Sequence, residues 1–173
     1  WFGPAQDSYG QFAKALIQND LPYMNRFMNQ VALQTFSYFD TGKEPSREEP
    51  ERFYHGFVLG LMVELRDRYM LTSNRESGFG RYDVMLEPYD RTKDAYILEF
   101  KVQEPEKEKD LDETAEAALD QIEEKKYAEQ LKQKGFRESQ IRMYGFAFRG
   151  KEVKIRTRVV SRVVSNSSEI LQF

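Results

Sequence analysis

Asp83, Glu99 and Lys101 are the residues of this sequence whose types and spacing could do chemistry. They lie in two apolar runs joined by the polar turn Pro88-Tyr89-Asp90-Arg91-Thr92-Lys93-Asp94, a pattern that predicts two short strands. Strand side chains alternate between faces, so Tyr96, Leu98, Phe100 and Val102 share one face, and Ile97, Glu99 and Lys101 share the other. In the first run Asp83 falls on the face of Met85, with Tyr82, Val84 and Leu86 opposite. Sequential strands with a short connection are usually neighbours, about 4.8 Å apart, which sets Asp83 across from Glu99. Two carboxylates and an ammonium converging within a sheet are costly unless a cation or a reaction uses them. Mg²⁺ is a hard ion that takes one or two carboxylates together with water and phosphate oxygens. Bound there, it would polarise a phosphate and acidify a water, and Lys101 could orient that water or offset developing charge. The competing interpretation is a surface ion pair.

Glu-x-Lys carries no information by itself. It recurs at Glu99/Lys101, Glu123/Lys125, Glu124/Lys126 and Glu152/Lys154, and only the first follows a strand-borne Asp. His55 is the single histidine and cysteine is absent, which argues against Ser-His-Asp catalysis and excludes zinc-thiolate sites and disulfides. Gly145 to Lys151 fits the first seven positions of a phosphate-binding loop. Glu152 then stands where Ser or Thr must ligate Mg²⁺, and the stretch reads as strand, turn, strand, so nucleotide binding is not expected there.

The chain has 173 residues, 40% of them apolar and 14% aromatic, enough for one domain with a real core. No apolar run approaches the roughly 18–20 residues of a membrane span, so no membrane partner is expected. The lack of cysteine suits a reducing cytoplasm. A start at Trp1 suggests a portion of a longer protein. The net charge of −3 conceals an asymmetry: Lys101 to Gln130 holds eleven acids and five bases, and Leu131 to Arg162 ten bases and two acids. The basic stretch reads either as a phosphate-facing surface or as a solvated, charge-mixed one.

The elements that must position these residues follow in order. Residues 5–39 carry helical spacing, with Tyr9, Phe12, Ala13, Leu16 and Ile17 and then Met24, Phe27, Met28, Val31, Ala32 and Phe36 as a stripe that reads either as core or as an interface, and Pro22 in the first turn of a second helix. Residues 41–50 read as a polar linker. Residues 51–70 predict a helix in which Gly56 and Gly60 would admit a close neighbour. Residues 71–76 predict a strand, and residues 111–134 one long helix stopped by Gly135. Strands are expected over 141–148 and 152–158, and a loosely held tail over 161–173. The order implies an α/β fold with a mixed sheet.

Phe53-Tyr54-His55-Gly56-Phe57, Ser73-Asn74-Arg75-Glu76-Ser77-Gly78-Phe79-Gly80-Arg81-Tyr82-Asp83, Ile97-Leu98-Glu99-Phe100-Lys101 and Ala118-Leu119-Asp120-Gln121-Ile122 through Tyr127 resemble the PD-(D/E)xK nuclease superfamily. More closely, they resemble the branch found C-terminal to AAA-ATPase-like domains in bacterial proteins. The resemblance implies a restriction-endonuclease-like mixed central sheet flanked by helices. The domains would be a helical extension and linker over 1–50, the nuclease-like domain over 51–160 and the tail over 161–173. It implies Asp83 and Glu99 as metal ligands for Mg²⁺ or Mn²⁺, Lys101 as the catalytic lysine, and Gln121 and His55 as further active-site groups. Arg81, Glu76 and Tyr127 would contact substrate. The implied activity is metal-dependent phosphodiester hydrolysis of nucleic acid, DNA in the first instance, with an upstream AAA-ATPase-like domain as partner. Tyr82 stands where the superfamily's name has Pro, and Glu64 or Glu76 would supply the acid often carried on the first helix. A nuclease-like scaffold that binds without cutting is the alternative. Substrate specificity and oligomeric state are not legible.

Overall fold

The computed structural model describes residues 5–35, 48–77 and 80–160, with side chains over 10–34, 53–73 and 83–160. The expected tail over 161–173 and the linker up to residue 47 lie outside the described residues.

The elements are α1 (Ala5–Gln18), α2 (Leu21–Thr35), α3 (Glu48–Met62), β1 (Tyr69–Ser77), β2 (Gly80–Pro88), β3 (Ala95–Val102), α4 (Leu111–Glu124), α5 (Ala128–Gln133), β4 (Ile141–Arg149) and β5 (Glu152–Val159). The strands form one sheet in the order β1-β2-β3-β4-β5. β3 and β4 are parallel and the other pairs antiparallel. A parallel pair needs a crossover, and α4 with α5 supplies it.

Alternation along the strands divides the core in two. Tyr96, Leu98, Phe100, Tyr144, Phe146 and Phe148 face α1, α2 and α3. Met85, Ile97 and Met143 face α4 and α5 through Leu119, Ile122 and Leu131. The predicted stripe of the N-terminal helices is core: Phe12, Leu16, Met24 and Met28 are fully buried. Asp20 caps α2 by accepting from Tyr23 N–H at 3.0 Å.

The N-terminal helices also close the sheet. β5 is an edge strand, and an edge exposes unpaired N–H and C=O groups. Asn25 and Asn29, one turn apart on α2, occupy them with their amides. Asn25 donates to Ile155 O (3.1 Å) and accepts from Ile155 N–H (2.8 Å). Asn29 does the same with Val153, at 2.7 and 3.0 Å.

Several expectations are corrected. The helix predicted over 51–70 starts earlier and stops at Met62, followed by a 3₁₀ turn, Val63–Leu65; Tyr69 begins β1. Aromatic and aliphatic residues at Tyr69 and Leu71 serve a strand as readily as a helix, and pairing with Pro88 and Leu86 decides the matter. Among the described residues, nothing lies within 4 Å of where a Cβ at Gly56 or Gly60 would sit, so neither marks a close approach.

The long helix predicted over 111–134 breaks at Lys125–Tyr127. Tyr127 N–H donates to Ile122 O (3.1 Å) and Lys126 N–H to Glu123 O (2.9 Å), with Lys126 in the left-handed region at φ 54°. That is a Schellman termination, usually signalled by glycine, and here written with lysine.

The basic strand is not a free phosphate-facing surface. Lys154 and Arg156 pair with Asp112, Arg156 and Arg158 with Glu116, and Arg158 with Asp120 and Glu123, all between 2.6 and 3.1 Å. The asymmetry of the sequence is thereby folded onto itself, acidic α4 against basic β5. Among the described residues, no helix is long and apolar enough to cross a membrane.

Candidate active site

The ladder between β2 and β3 runs through Leu86↔Tyr96, Met85↔Ile97 and Val84↔Leu98 and stops there. Asp83 and Glu99 occupy the next rung, on the face of Met85 and Ile97, beneath α4. Where the strands part, the Asp83 carboxylate takes over as acceptor: Phe100 N–H donates to its Oδ2 at 2.9 Å. The carboxylate therefore reaches the main chain next to Glu99.

Glu99 is 3% exposed, and its Oε1 accepts a short hydrogen bond from the Gln121 amide. A buried carboxylate needs such donors, because burial of an unpaired charge is prohibitive. Gln121 reaches it because α4 lies very close to the sheet. Gly145 is the register partner of Glu99, and a Cβ there would sit 2.2 Å from Ala115 O and 3.2 Å from the Cβ of Ala118. Only glycine tolerates that approach.

The break after α4 then turns Tyr127 inward, where it is 2% exposed. Burial first, and the charges of Glu99 and Asp83 after it, raise the phenol above its ordinary range, while a hydrogen bond with Gln121 works the other way. Tyr127 thus stays protonated and is a neutral donor facing the acids.

His55 reaches Asp83 from the opposite, α3 side. Its Nε2 lies 3.2 Å from the main-chain oxygen of Asp83 and 2.9 Å from Ser73 Oγ, and its ring stands edge-on to Phe100 at 5.5 Å. Since a carbonyl only accepts, the tautomer protonated on Nε2 donates to Asp83. Lys101 follows Glu99 on the same face, opposite Ala147, half-buried, and its ammonium forms no hydrogen bond or ion pair among the described residues.

The structure therefore gathers Asp83, Glu99, Gln121 and Tyr127 about one end of the β2–β3 pair, with Lys101 on the same face and His55 behind. Glu64 is not brought there. It is exposed in the turn after α3, and its carboxylate makes no hydrogen bond or ion pair with these groups. Glu76 and Arg81 are register partners on β1 and β2, and their side chains lie outside the described ones. Sequence reasoning missed Gly145, Ser73 and the Phe100 N–H. A glycine inside a strand pattern is a known sign of close approach, so Gly145 was findable; the other two depend on contacts between distant segments.

Among the described residues, no three His, Asp or Glu side chains gather closely enough to hold a metal. The pair Asp83 and Glu99 nonetheless fits a hydrated divalent ion, for which one or two carboxylates suffice when water and phosphate fill the remaining positions.

A mixed five-stranded sheet between helical layers, with two acids and a lysine on its central strands, defines a restriction-endonuclease-like α/β protein. The family model of the PD-(D/E)XK nuclease superfamily matches residues 49–158, and the chain belongs to that superfamily. No curated protein matches the chain. No solved structure matches it.

Proposed function

We propose that the domain hydrolyses phosphodiester bonds of nucleic acid, DNA in the first instance, with Mg²⁺ or Mn²⁺ held by Asp83 and Glu99. The observation that carries this reading is the convergence of the two acids, with Gln121, Tyr127 and Lys101 about them, inside the segment that matches the superfamily. The divalent ion would supply polarisation of the scissile phosphate and an acidified water.

The chain's own groups do the rest. Phe100 N–H fixes one oxygen of Asp83, and the Gln121 amide fixes one oxygen of Glu99, so both carboxylates are held in place before substrate arrives. The Lys101 ammonium, with no carboxylate paired to it among the described residues, is available to orient the attacking water or to offset charge growing on the phosphate oxygens. Tyr127, kept neutral, donates toward the same acids or toward a phosphate oxygen. His55 braces Asp83 through its main-chain oxygen. An upstream AAA-ATPase-like domain in the same protein remains the proposed partner.

Labelled duplex DNA, single-stranded DNA and RNA incubated with Mg²⁺ or Mn²⁺ test the reading. Cleavage by the wild type, lost in Asp83→Ala and in Lys101→Ala with the fold intact, is the expected result. A wild type that cuts none of them with either ion contradicts it and leaves a nuclease-like scaffold.

A further inference from the structure

The chain keeps a strained lysine at the edge of the site. Among the described residues, Asn19 and Lys126 alone adopt positive φ without being glycine. Asparagine tolerates the left-handed region, because its short side chain bonds locally; lysine has no such compensation. Position 126 is the residue just past the end of α4, where glycine is the usual choice. Strain retained at such a position is a sign of function when the side chain itself is useful.

The surroundings indicate the use. Lys125 and Lys126 are both exposed, and neither ammonium forms a hydrogen bond or ion pair among the described residues. The cations of β5, which the sequence offers as the basic surface, are committed to the acids of α4. The next residue, Tyr127, is buried against the charges of Glu99 and Asp83. The turn therefore carries two exposed ammonium groups, without partners among the described residues, immediately before the tyrosine that senses both acids. The buried Glu99 and the partly buried Asp83 repel a polyanion, and cations beside them are what would let one approach.

Resting on the nuclease reading above, we propose that Lys126, with Lys125 beside it, contacts the phosphate backbone of the nucleic acid and holds the strand over the Asp83–Glu99 face. The contact is with phosphate, so it is independent of base sequence.

Fluorescence anisotropy of a labelled oligonucleotide, without divalent metal so that nothing is cut, tests this beside thermal unfolding. Lys126→Gly removes both the charge and the strain. The variant is expected to melt at a higher temperature than the wild type and to bind several-fold more weakly. The slope of log affinity against log salt should fall by roughly 1, and by roughly 2 when Lys125→Ala is added. Lys14→Ala, an exposed cation on α1 across the sheet, should leave binding unchanged. Unchanged binding by the double variant overturns the proposal, and so does a Lys126→Gly protein that loses binding and stability together. If the wild type binds but does not cut when metal is added, the nuclease reading fails and the lysine result stands. A wild type that binds no oligonucleotide overturns the lysine contact.

Discussion

Gly145→Ala adds one methyl group at the point where α4 presses on the sheet. In an ordinary strand this change stabilises by about 0.5–1 kcal/mol, because glycine loses more freedom on folding. Here the new carbon would lie 2.2 Å from a main-chain oxygen of α4, with the Cβ of Ala118 at 3.2 Å. The obstacle is helix backbone, which no rotamer change relieves, so α4 must rise by about 1 Å. Overpacking of this kind costs about 1–3 kcal/mol, and a rigid obstacle puts the cost at the upper end. In a protein of this size about 3 kcal/mol lowers the melting temperature by roughly 6–12 °C. The same displacement pulls Gln121 away from Glu99, so metal-dependent cleavage measured well below the melting point should fall about a hundredfold, the usual cost of a misplacement near 1 Å. Differential scanning calorimetry and a cleavage assay on the variant supply both readings. A Gly145→Ala protein that melts at or above the wild-type temperature would refute the claim that glycine at this position sets the height of α4.

Three further outcomes are expected. Gln121→Ala removes the amide that fixes Glu99 and should depress cleavage more than tenfold, with far-ultraviolet circular dichroism unchanged. Asn25→Ala and Asn29→Ala each strip an edge N–H and an edge C=O of β5 of their side-chain partners. Each should cost about 1–3 kcal/mol in denaturant unfolding, and the double variant should associate at high concentration through the bared strand. The hydrogen bond from Lys154 first, and that from Arg156 with it, hold the Asp112 carboxyl below its ordinary range. A depressed carboxyl contributes stability above the unfolded value, near about 3.9, and loses it as the pH falls through the lower folded value. The denaturant midpoint of the wild type should therefore drop more steeply on acidification below about pH 4 than that of Asp112→Asn.

The site was legible where chemistry and local periodicity coincide. Alternation alone put Asp83 with Met85 and Glu99 with Ile97, and the pairing of β2 with β3 puts those faces together. Gln121, which entered through the resemblance, flanks the buried Ala118 and Ile122 of α4, and its amide reaches Glu99. What escaped detection depends on partners far away in the chain. The ten bases from Leu131 to Arg162 look like a binding surface until α4 is folded over β5 and most of that strand's charge is consumed. The break after α4 lacks the glycine that announces such ends, because Lys126 takes the left-handed conformation instead. The overrun of the third helix has the same origin. Tyr69 and Leu71 satisfy either period, and only the hydrogen-bonding partner β2 selects strand. Asn25 and Asn29 look like ordinary polar positions on α2 until the open edge of β5 is placed beside them.

The central claim is that Asp83 and Glu99 hold one divalent ion between them. Titration of the purified protein with Mn²⁺, followed by electron paramagnetic resonance of the free ion, tests it without requiring a substrate. The account predicts saturable binding to the wild type that disappears in Asp83→Asn and in Glu99→Gln. Binding that survives both substitutions, or a wild type that takes up no Mn²⁺, would contradict it.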